Sequence, residues 1–463
     1  MQISTRATSI PSPGEFELLG QTAQRAIAYL RGIDARSVAP AAAAVRALDQ
    51  LAGPLPAAAT DPGTVIELLD SVASPATVAN AGGRYFGFVN GGSLPAALAA
   101  AWLVNTWDQN GGLRVMSPAS ATLEEIALAW VKNLLGLPAD CGAGLVTGAT
   151  MANLAGLAAA RHQLLTRAGW DVENDGLFGA PPLQVVVGEE VHASIIKALG
   201  LLGLGRTRVS RVPVDSEGRM RADRLPGLND HSILCLQAGN VASGAFDPAA
   251  ELIPVAQAAR AWVHVDGAFG LWAAASARHR HLLRGFEQAD SWATDAHKWP
   301  NVGYDCGIAL VRNAAALQSV MAISAPYVMP GKLREPHHYT PEMSRRARGV
   351  ELWAALRSLG REGVEALVDR TCAHARQMAD ALRAAGFEIL NDVVINQVLV
   401  SFGSPEKTRS VIERLQQEGT CWCGGTEWQG RTAMRISISS WATTEEDIDL
   451  SLAAMVRIAR APP

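Results

Sequence analysis

The chain has 463 residues, of which 49 % are hydrophobic and 18 % charged, and its formal net charge is −4. This length and composition are typical of a globular protein with a large core. The lack of a basic excess argues against a nucleic-acid partner, because binding to phosphates requires clustered Lys and Arg.

The N-terminus is polar and interrupted by prolines, and the most apolar stretch is too short to cross a bilayer. We therefore expect a soluble, cytoplasmic protein without a membrane partner. The six cysteines are scattered except for Cys421 and Cys423, which is too few paired ligands for a structural zinc site. We expect reduced thiols and no metal.

The first part of the chain is predicted to be helical over 15–52 and again over 64–137, where the helical pattern is interrupted at 82–92, with a Pro/Ala/Gly linker at 53–63. Short β-branched runs then alternate with helical segments such as 193–202 and 249–261. The predicted strands are 183–187, 209–214, 232–236, 262–265 and 308–311. Apolar strands that alternate with helices indicate a mainly parallel sheet covered on both faces.

The pattern changes after residue 348, where a long helix over 349–385 precedes strands at 397–402 and 433–439 and a last helix from Thr444. This order predicts an α+β tail. We divide the chain into an N-terminal helical segment (1–75), a large domain (76–345) and a small C-terminal domain (346–463).

Four motifs at strand ends or turns carry candidate chemistry. The small-residue turn at 147–153 precedes a helix, whose N-terminus can bind an anion, although such a turn is more often an ordinary cap. His192 follows a strand and could stack on a flat ring or simply begin a helix. Asp266 ends an apolar strand and requires a cationic partner, such as a protonated pyridine nitrogen, or else caps the next turn. Lys298 follows a short strand among aromatic residues and is a candidate for a desolvated, nucleophilic amine, although an arbitrary lysine is more often at the surface.

Together these motifs supply an anion cradle, a ring stack, an acid and an amine. These are the parts that a site for pyridoxal 5′-phosphate (PLP) needs. Each motif has an unremarkable alternative, but the combination favours the cofactor.

The sequence resembles the group II PLP-dependent amino-acid decarboxylases, the family of aromatic-L-amino-acid, tyrosine and glutamate decarboxylases. The resemblance extends from about Tyr85 to the end of the chain. Its motifs are YFGF at 85–88, SPA at 117–119, His192, GAFDP at 244–248, HVD at 264–266, DAHKW at 295–299, YDCG at 304–307, RRAR at 345–348 and RIS at 435–437.

The resemblance implies an α/β protein of the type I PLP-dependent transferase fold, with a mainly parallel sheet in the large domain and a smaller α+β C-terminal domain. It also implies PLP as cofactor, a homodimer, and decarboxylation of a small-molecule L-amino acid to the amine. Three alternatives stay open: an aldehyde synthase of the same fold, a PLP lyase or aminotransferase, and a PLP-binding protein without turnover. The complete His/Asp/Lys set argues against the last.

Site residues follow from the same resemblance. Lys298 corresponds to the Schiff-base lysine, Asp266 to the partner of the pyridine nitrogen, and His192 to the residue stacked on the ring. Further cofactor contacts are implied for Ala149 and Thr150 in the phosphate turn, Ala268 on the ring face opposite His192, Asn240, Asp295 and His297. Phe86 and Phe88 resemble substrate-pocket residues, and Arg435 is either a carboxylate ligand or a structural ion-pair partner.

The segment 325–342 contains four prolines and cannot be regular helix or strand, which favours a lid. In the family a loop tyrosine protonates Cα after decarboxylation. We favour Tyr339 over Tyr327 for this role. The alternative is a surface loop whose tyrosine packs on the body of the protein.

Overall fold

The structure is a computed structural model that describes residues 13–323 and 333–462. Its N-terminal part consists of separate helices, and the predicted continuous helix over 15–52 is wrong. Proline is disfavoured inside a helix, and Pro40 lies between the first two helices. The helices are α1 (Pro13–Arg31), α2 (Ala42–Ala47), α3 (Pro62–Leu68), α4 (Pro95–Trp107) and α5 (Pro118–Leu134).

A seven-stranded sheet forms the centre of the molecule. Its strands are β1 (Gly142–Val146), β2 (Gln184–Gly188), β3 (Val209–Val212), β4 (Ser232–Gln237), β5 (Trp262–Asp266), β6 (Ser291–Asp295) and β7 (Gly307–Val311). The order across the sheet is β1-β7-β6-β5-β4-β2-β3. Only β7 runs antiparallel to its neighbours, so the predicted mainly parallel sheet is confirmed.

Helices cover both faces of this sheet, as the apolar strands predict. Along β2, Val186 packs into one apolar cluster while Val185 and Val187 pack into the other. Five helices follow or separate the strands: α6 (Ala149–Arg167), α7 (Val172–Asp175), α8 (Ala193–Leu201), α9 (Ala249–Ala258) and α10 (Ala314–Met321).

A smaller antiparallel sheet, in the order β10-β11-β9-β8, forms the C-terminal α+β lobe. Its elements are α11 (Arg348–Ala384), β8 (Glu388–Ile389), β9 (Gln397–Ser401), α12 (Pro405–Glu418), β10 (Gly424–Trp428), β11 (Arg431–Ser437) and α13 (Glu445–Arg460). Helix α11 is kinked at Gly360, whose φ of 62° and ψ of −178° are accessible almost only to glycine.

Within the described ranges, no helix has the length and apolarity that crossing a membrane requires.

Candidate active site

The carboxyl ends of the parallel strands bring the predicted residues to one edge of the large sheet. Asp266 ends β5, Asp295 ends β6, and Lys298 follows three residues later. His192 follows β2 and is the N-cap of α8. The turn after β1 leads directly into α6. The edge of an α/β sheet at which parallel strands end is the usual place for a ligand.

Lys298 is held beside an acid and a helix N-terminus. Its Nζ lies 3.3 Å from Oδ2 of Asp295, whose Oδ1 accepts a 2.6 Å hydrogen bond from the Ala149 amide. The neighbouring Thr150 amide is one of the first-turn donors that a helix leaves free. The amine, the carboxylate and the start of α6 therefore form one continuous surface, on which an anionic group can bind close to Lys298.

Asp266 is buried, with 5 % exposure, and all its hydrogen-bond donors among the described residues are neutral. Oδ2 accepts from Nδ2 of Asn153 at 3.1 Å and from Oγ of Ser194 at 3.3 Å, while Oδ1 accepts from the Ala268 amide at 3.3 Å. A buried carboxylate without a cation is unfavourable, so a cationic ring nitrogen would stabilise it.

His192 lies at the mouth of the site with its ring oriented by α8. Its Nδ1 accepts from the Ser194 amide at 3.2 Å, which places the proton of the neutral ring on Nε2. Burial lowers the pKa of His192, Asp266 opposes that shift, and Lys298 and Arg435 add to it. A neutral imidazole is suited to stacking on a ring.

His192→Phe should hold PLP about 2- to 10-fold more tightly than His192→Ala, because only the phenyl ring keeps an aromatic face for stacking. Both substitutions remove the helix cap, so the two variants should lose similar thermal stability. Dissociation of PLP from the purified proteins, followed by absorbance, gives the comparison. Equal affinity in the two variants would count against stacking.

His297 and Tyr304 form the wall next to Lys298. The His297 Nδ1 accepts from the Cys306 amide at 3.1 Å, and its ring centroid lies 4.4 Å from that of Tyr304. Burial raises the pKa of Tyr304 to about 12, so its hydroxyl keeps its proton at neutral pH. Gly307 lets the turn before α6 approach β7, since a Cβ there would lie 2.4 Å from the Gly148 Cα. Tyr304 belongs to the YDCG motif, but the sequence assigned it no role in the site.

Ala268 lies two residues after Asp266, is half-buried and donates its amide to Oδ1 of the acid, while its predicted contact with the ring face stays a prediction. Asn240 follows β4 at the same edge, but its Oδ1 caps the next turn by accepting from the amides of Ala242 and Ser243 at 2.8 and 3.3 Å. These bonds give Asn240 a structural role, and its predicted contact with the cofactor stays a prediction.

The structure places the two predicted substrate residues of the YFGF motif in different environments. Phe86 is fully buried in the core of the small sheet, which gives it a packing role, and its predicted substrate contact stays a prediction. Its backbone pairs with Trp422 and Ser437, which turns the side chain inward. Phe88 is 60 % exposed and stacks on Trp422, 5.5 Å between centroids. Trp422, which also stacks on Tyr85, belongs to none of the motifs found in the sequence.

Arg435 lies on β11 and faces the same region. Its guanidinium donates to the Val241 carbonyl at 3.4 Å, and its charge acts on both Tyr85 and His192. No carboxylate of the described residues forms an ion pair with it, and its contact with a substrate carboxylate stays a prediction.

Tyr339 is not brought to Lys298. Its hydroxyl accepts a 2.6 Å hydrogen bond from Gln318 on α10, and its ring lies against Gly142 at the opposite end of β1. Arg334 covers the ring at 4.5 Å. The structure thus gives Tyr339 the packing role, which is the alternative considered above. Tyr327 lies outside the described residues.

The residues present fit PLP. Lys298 is an amine for the aldehyde, Asp266 a buried acid that lacks a cation, His192 a neutral ring, and the start of α6 an anion site. These groups belong to four different strand ends that the fold brings to one edge.

Comparison with known proteins agrees with this site. Residues 76–403 match the family model described as the pyridoxal-dependent decarboxylase conserved domain. The chain is 27 % identical to tryptophan decarboxylase 1 of Oryza sativa subsp. japonica, over 83 % of this chain and 82 % of that protein. It is 29 % identical to an aromatic-L-amino-acid decarboxylase of Drosophila lebanonensis, over 73 % of this chain and 88 % of the relative.

Solved structures show the same fold. A crystal structure of Oryza sativa TDC with PLP and tryptamine matches with a TM-score of 0.90 at 23 % identity, covering 98 % of this chain and 99 % of the other. The fold is the α/β type I PLP fold that the sequence predicts. The chain therefore belongs to the group II PLP-dependent amino-acid decarboxylase family, and it is a carboxy-lyase whose cofactor is PLP.

Proposed function

We propose that this decarboxylase acts on an aromatic L-amino acid and releases the corresponding amine and carbon dioxide. The observation that carries the proposal is the aromatic group of Tyr85, Trp422 and Phe88, whose outermost ring is open. Aromatic side chains bind other aromatic rings by stacking. The names of the two sequence relatives point to the same substrate class.

The residues of the site have distinct tasks in this reaction. When bound, PLP supplies an aldehyde for the amino group and a ring that takes up the electron pair left at Cα as carbon dioxide departs. Lys298 provides the amine that holds the cofactor, and Asp266 keeps a positive charge at the ring nitrogen. His192 covers one ring face. Arg435 is assigned to the substrate carboxylate, which it can orient by charge before the carbon–carbon bond breaks.

A panel of amino acids tests the proposal. The purified holoenzyme should convert L-tryptophan, L-tyrosine or L-phenylalanine to one amine per carbon dioxide, and should leave L-glutamate and L-2,4-diaminobutyrate unchanged. Turnover of the acidic or basic substrates alone would overturn the aromatic assignment. Aldehyde, ammonia and hydrogen peroxide, formed with uptake of oxygen, would identify an aldehyde synthase instead.

Phe88→Ala should raise KM for the aromatic substrate about 3- to 10-fold, because it removes the stacking energy that one ring contributes to binding. The affinity for PLP should change little, because Phe88 contacts Trp422 and not Lys298. Phe178→Ala is the matched control, since Phe178 is 97 % exposed and removes an equal side chain elsewhere. A Phe88→Ala enzyme with the KM of the parent would show that this ring does not contact the substrate.

We also propose a homodimer in the cytoplasm. Helix α4 exposes Trp102, Leu103 and Trp107 by 40 %, 51 % and 44 %, a concentration of large apolar side chains that a partner surface would bury. All six cysteines lie in the described residues and are free thiols, in keeping with a reducing compartment. Light scattering of the purified protein should give twice the mass of the chain, and a monomer would refute the dimer.

A further inference from the structure

A continuous row of polar side chains lies behind Asp266, inside the protein. It runs from Trp262 through Ser291, His264 and Asn153 to the carboxylate. The successive distances are 2.9 Å from Trp262 Nε1 to Ser291 Oγ, 2.8 Å from Ser291 Oγ to His264 Nδ1, 2.9 Å from His264 Nε2 to Asn153 Oδ1, and 3.1 Å from Asn153 Nδ2 to Asp266 Oδ2. Ser291, His264 and Asn153 are each fully buried.

The donors and acceptors in this row have one consistent arrangement. The indole N–H of Trp262 can only donate, so Ser291 accepts from it and donates its own hydroxyl proton to Nδ1 of His264. The proton of the neutral imidazole is then on Nε2 and is donated to Oδ1 of Asn153. Because that oxygen is occupied, the amide nitrogen of Asn153 must face Asp266.

His264 remains neutral within this row. Burial lowers the pKa of His264 to about 4, so the ring carries a single proton at neutral pH. Gly156 provides the space, since a Cβ there would lie 2.7 Å from Cε1 of His264. A row of buried polar groups is unfavourable unless every member is satisfied, and here every member is.

Ser194 forms a side branch of the row and lies beside the ring-stacking residue. Asn153 Nδ2 also donates to Ser194 Oγ at 3.0 Å, and Ser194 Oγ lies 2.8 Å from His192 Nδ1 and 3.3 Å from Asp266 Oδ2. The inner oxygen of Asp266, Oδ2, therefore receives both of these donors. Oδ1 receives only the long bond from the Ala268 amide and is free for a further partner.

We propose that Asn153 is a positioning residue for Asp266. Trp262, Ser291 and His264 form a relay that orients the amide of Asn153. The oriented amide keeps Asp266 a hydrogen-bond acceptor and leaves its Oδ1 facing the cofactor nitrogen. This inference rests on the assignment of Asp266 as the acid that pairs with that nitrogen. Neither Asn153 nor the relay touches the reacting atoms, and their effect passes through Asp266.

The test compares Asn153→Ala with Asn153→Asp through PLP dissociation and the absorption spectrum of the purified holoenzyme. Loss of a hydrogen bond to a charged group should weaken PLP binding by about 10- to 100-fold in Asn153→Ala, at every pH. In Asn153→Asp two carboxylates would adjoin each other, and one of them must be protonated. The new carboxyl group can donate to Asp266, as the amide does, only when it is protonated. Asn153→Asp should therefore regain affinity as the pH falls from about 8 to about 6.

Asn396→Asp is the matched control, because Asn396 is equally buried and its Nδ2 donates to the Ile438 carbonyl and the Ser439 hydroxyl in the small lobe. It should lose thermal stability without the pH-dependent recovery of PLP affinity. Parent-like affinity and spectrum in Asn153→Ala would overturn the proposal, as would the same pH response in Asn396→Asp.

Ser291→Ala tests the proposed relay if the Asn153 variants do not fold. Removing this hydroxyl leaves the volume nearly unchanged but releases the tautomer of His264, so PLP affinity should fall several-fold. An unchanged affinity and spectrum would overturn the relay. These readouts involve no amino acid, so a protein that shows them but releases no carbon dioxide would refute the proposed reaction and keep the relay.

Discussion

Lys298→Ala should lower kcat about 100- to 10,000-fold, the range by which a positioned proton-transfer group accelerates a reaction. Lys298 is the amine at the edge where β5 and β6 end, and Nζ is held 3.3 Å from Asp295. An alanine can neither hold the cofactor covalently nor move a proton at the substrate. Steady-state release of carbon dioxide measures the loss.

Borohydride reduction identifies the lysine directly. In the parent protein, the mass of the cofactor should appear on the peptide that contains Lys298, and in Lys298→Ala on no peptide. Lys407→Ala is the control, because Lys407 is exposed on α12 in the small lobe and its loss should leave label and turnover unchanged. A label on another lysine would refute the assignment and with it most of the site.

Asp266→Asn should retain PLP with reduced affinity but lose turnover by on the order of 100-fold, because an amide cannot stabilise a cationic ring nitrogen by charge. The amide would also bring an N–H group towards Asn153 or Ser194, both of which donate to Oδ2 in the parent. The loss should therefore appear mainly in kcat, since the substrate contacts are elsewhere.

Asp290→Asn provides the comparison for Asp266→Asn. Asp290 is also largely enclosed and accepts a hydrogen bond from the Val263 amide, but it lies at the start of β6, away from Lys298. The Asp290→Asn enzyme should turn over substrate at nearly the parent rate. If Asp266→Asn did the same, the acid would have no electronic role.

The candidate site residues that follow the strands of the large sheet could be found from the sequence alone. Asp266 and His192 each follow a β-branched run and Lys298 follows the short strand SWATD, and parallel strands end at one edge, so their proximity follows from the topology. Strand β1 was missed because its sequence, GAGLV, is mostly small residues. The reason for its glycines is a contact distant in sequence, since a Cβ at Gly144 would lie 2.3 Å from the Tyr339 carbonyl oxygen.

Residues whose role depends on a distant partner could not be assigned. Phe86 and Phe88 look equivalent in YFGF, and only pairing with Trp422 and Ser437 separates the core residue from the exposed one. Asn153 lies within the phosphate turn that the sequence identified, yet its side chain points to His264 and Asp266. Tyr339 was chosen because it lies in a loop, and a position in a loop does not predict where the side chain points.

The small lobe contains a segment from the other end of the chain, and this determines when it can form during synthesis. Phe86 belongs to its core, and the Thr443 hydroxyl donates to the Gly83 carbonyl, 360 residues earlier. Contacts so far apart form slowly, although the entropy of closing the loop rises only slowly with its length. The large sheet can therefore assemble while the ribosome is still translating, whereas the lobe must wait for almost the whole polypeptide. Until then Phe86 is exposed apolar surface, a target for chaperones and for aggregation.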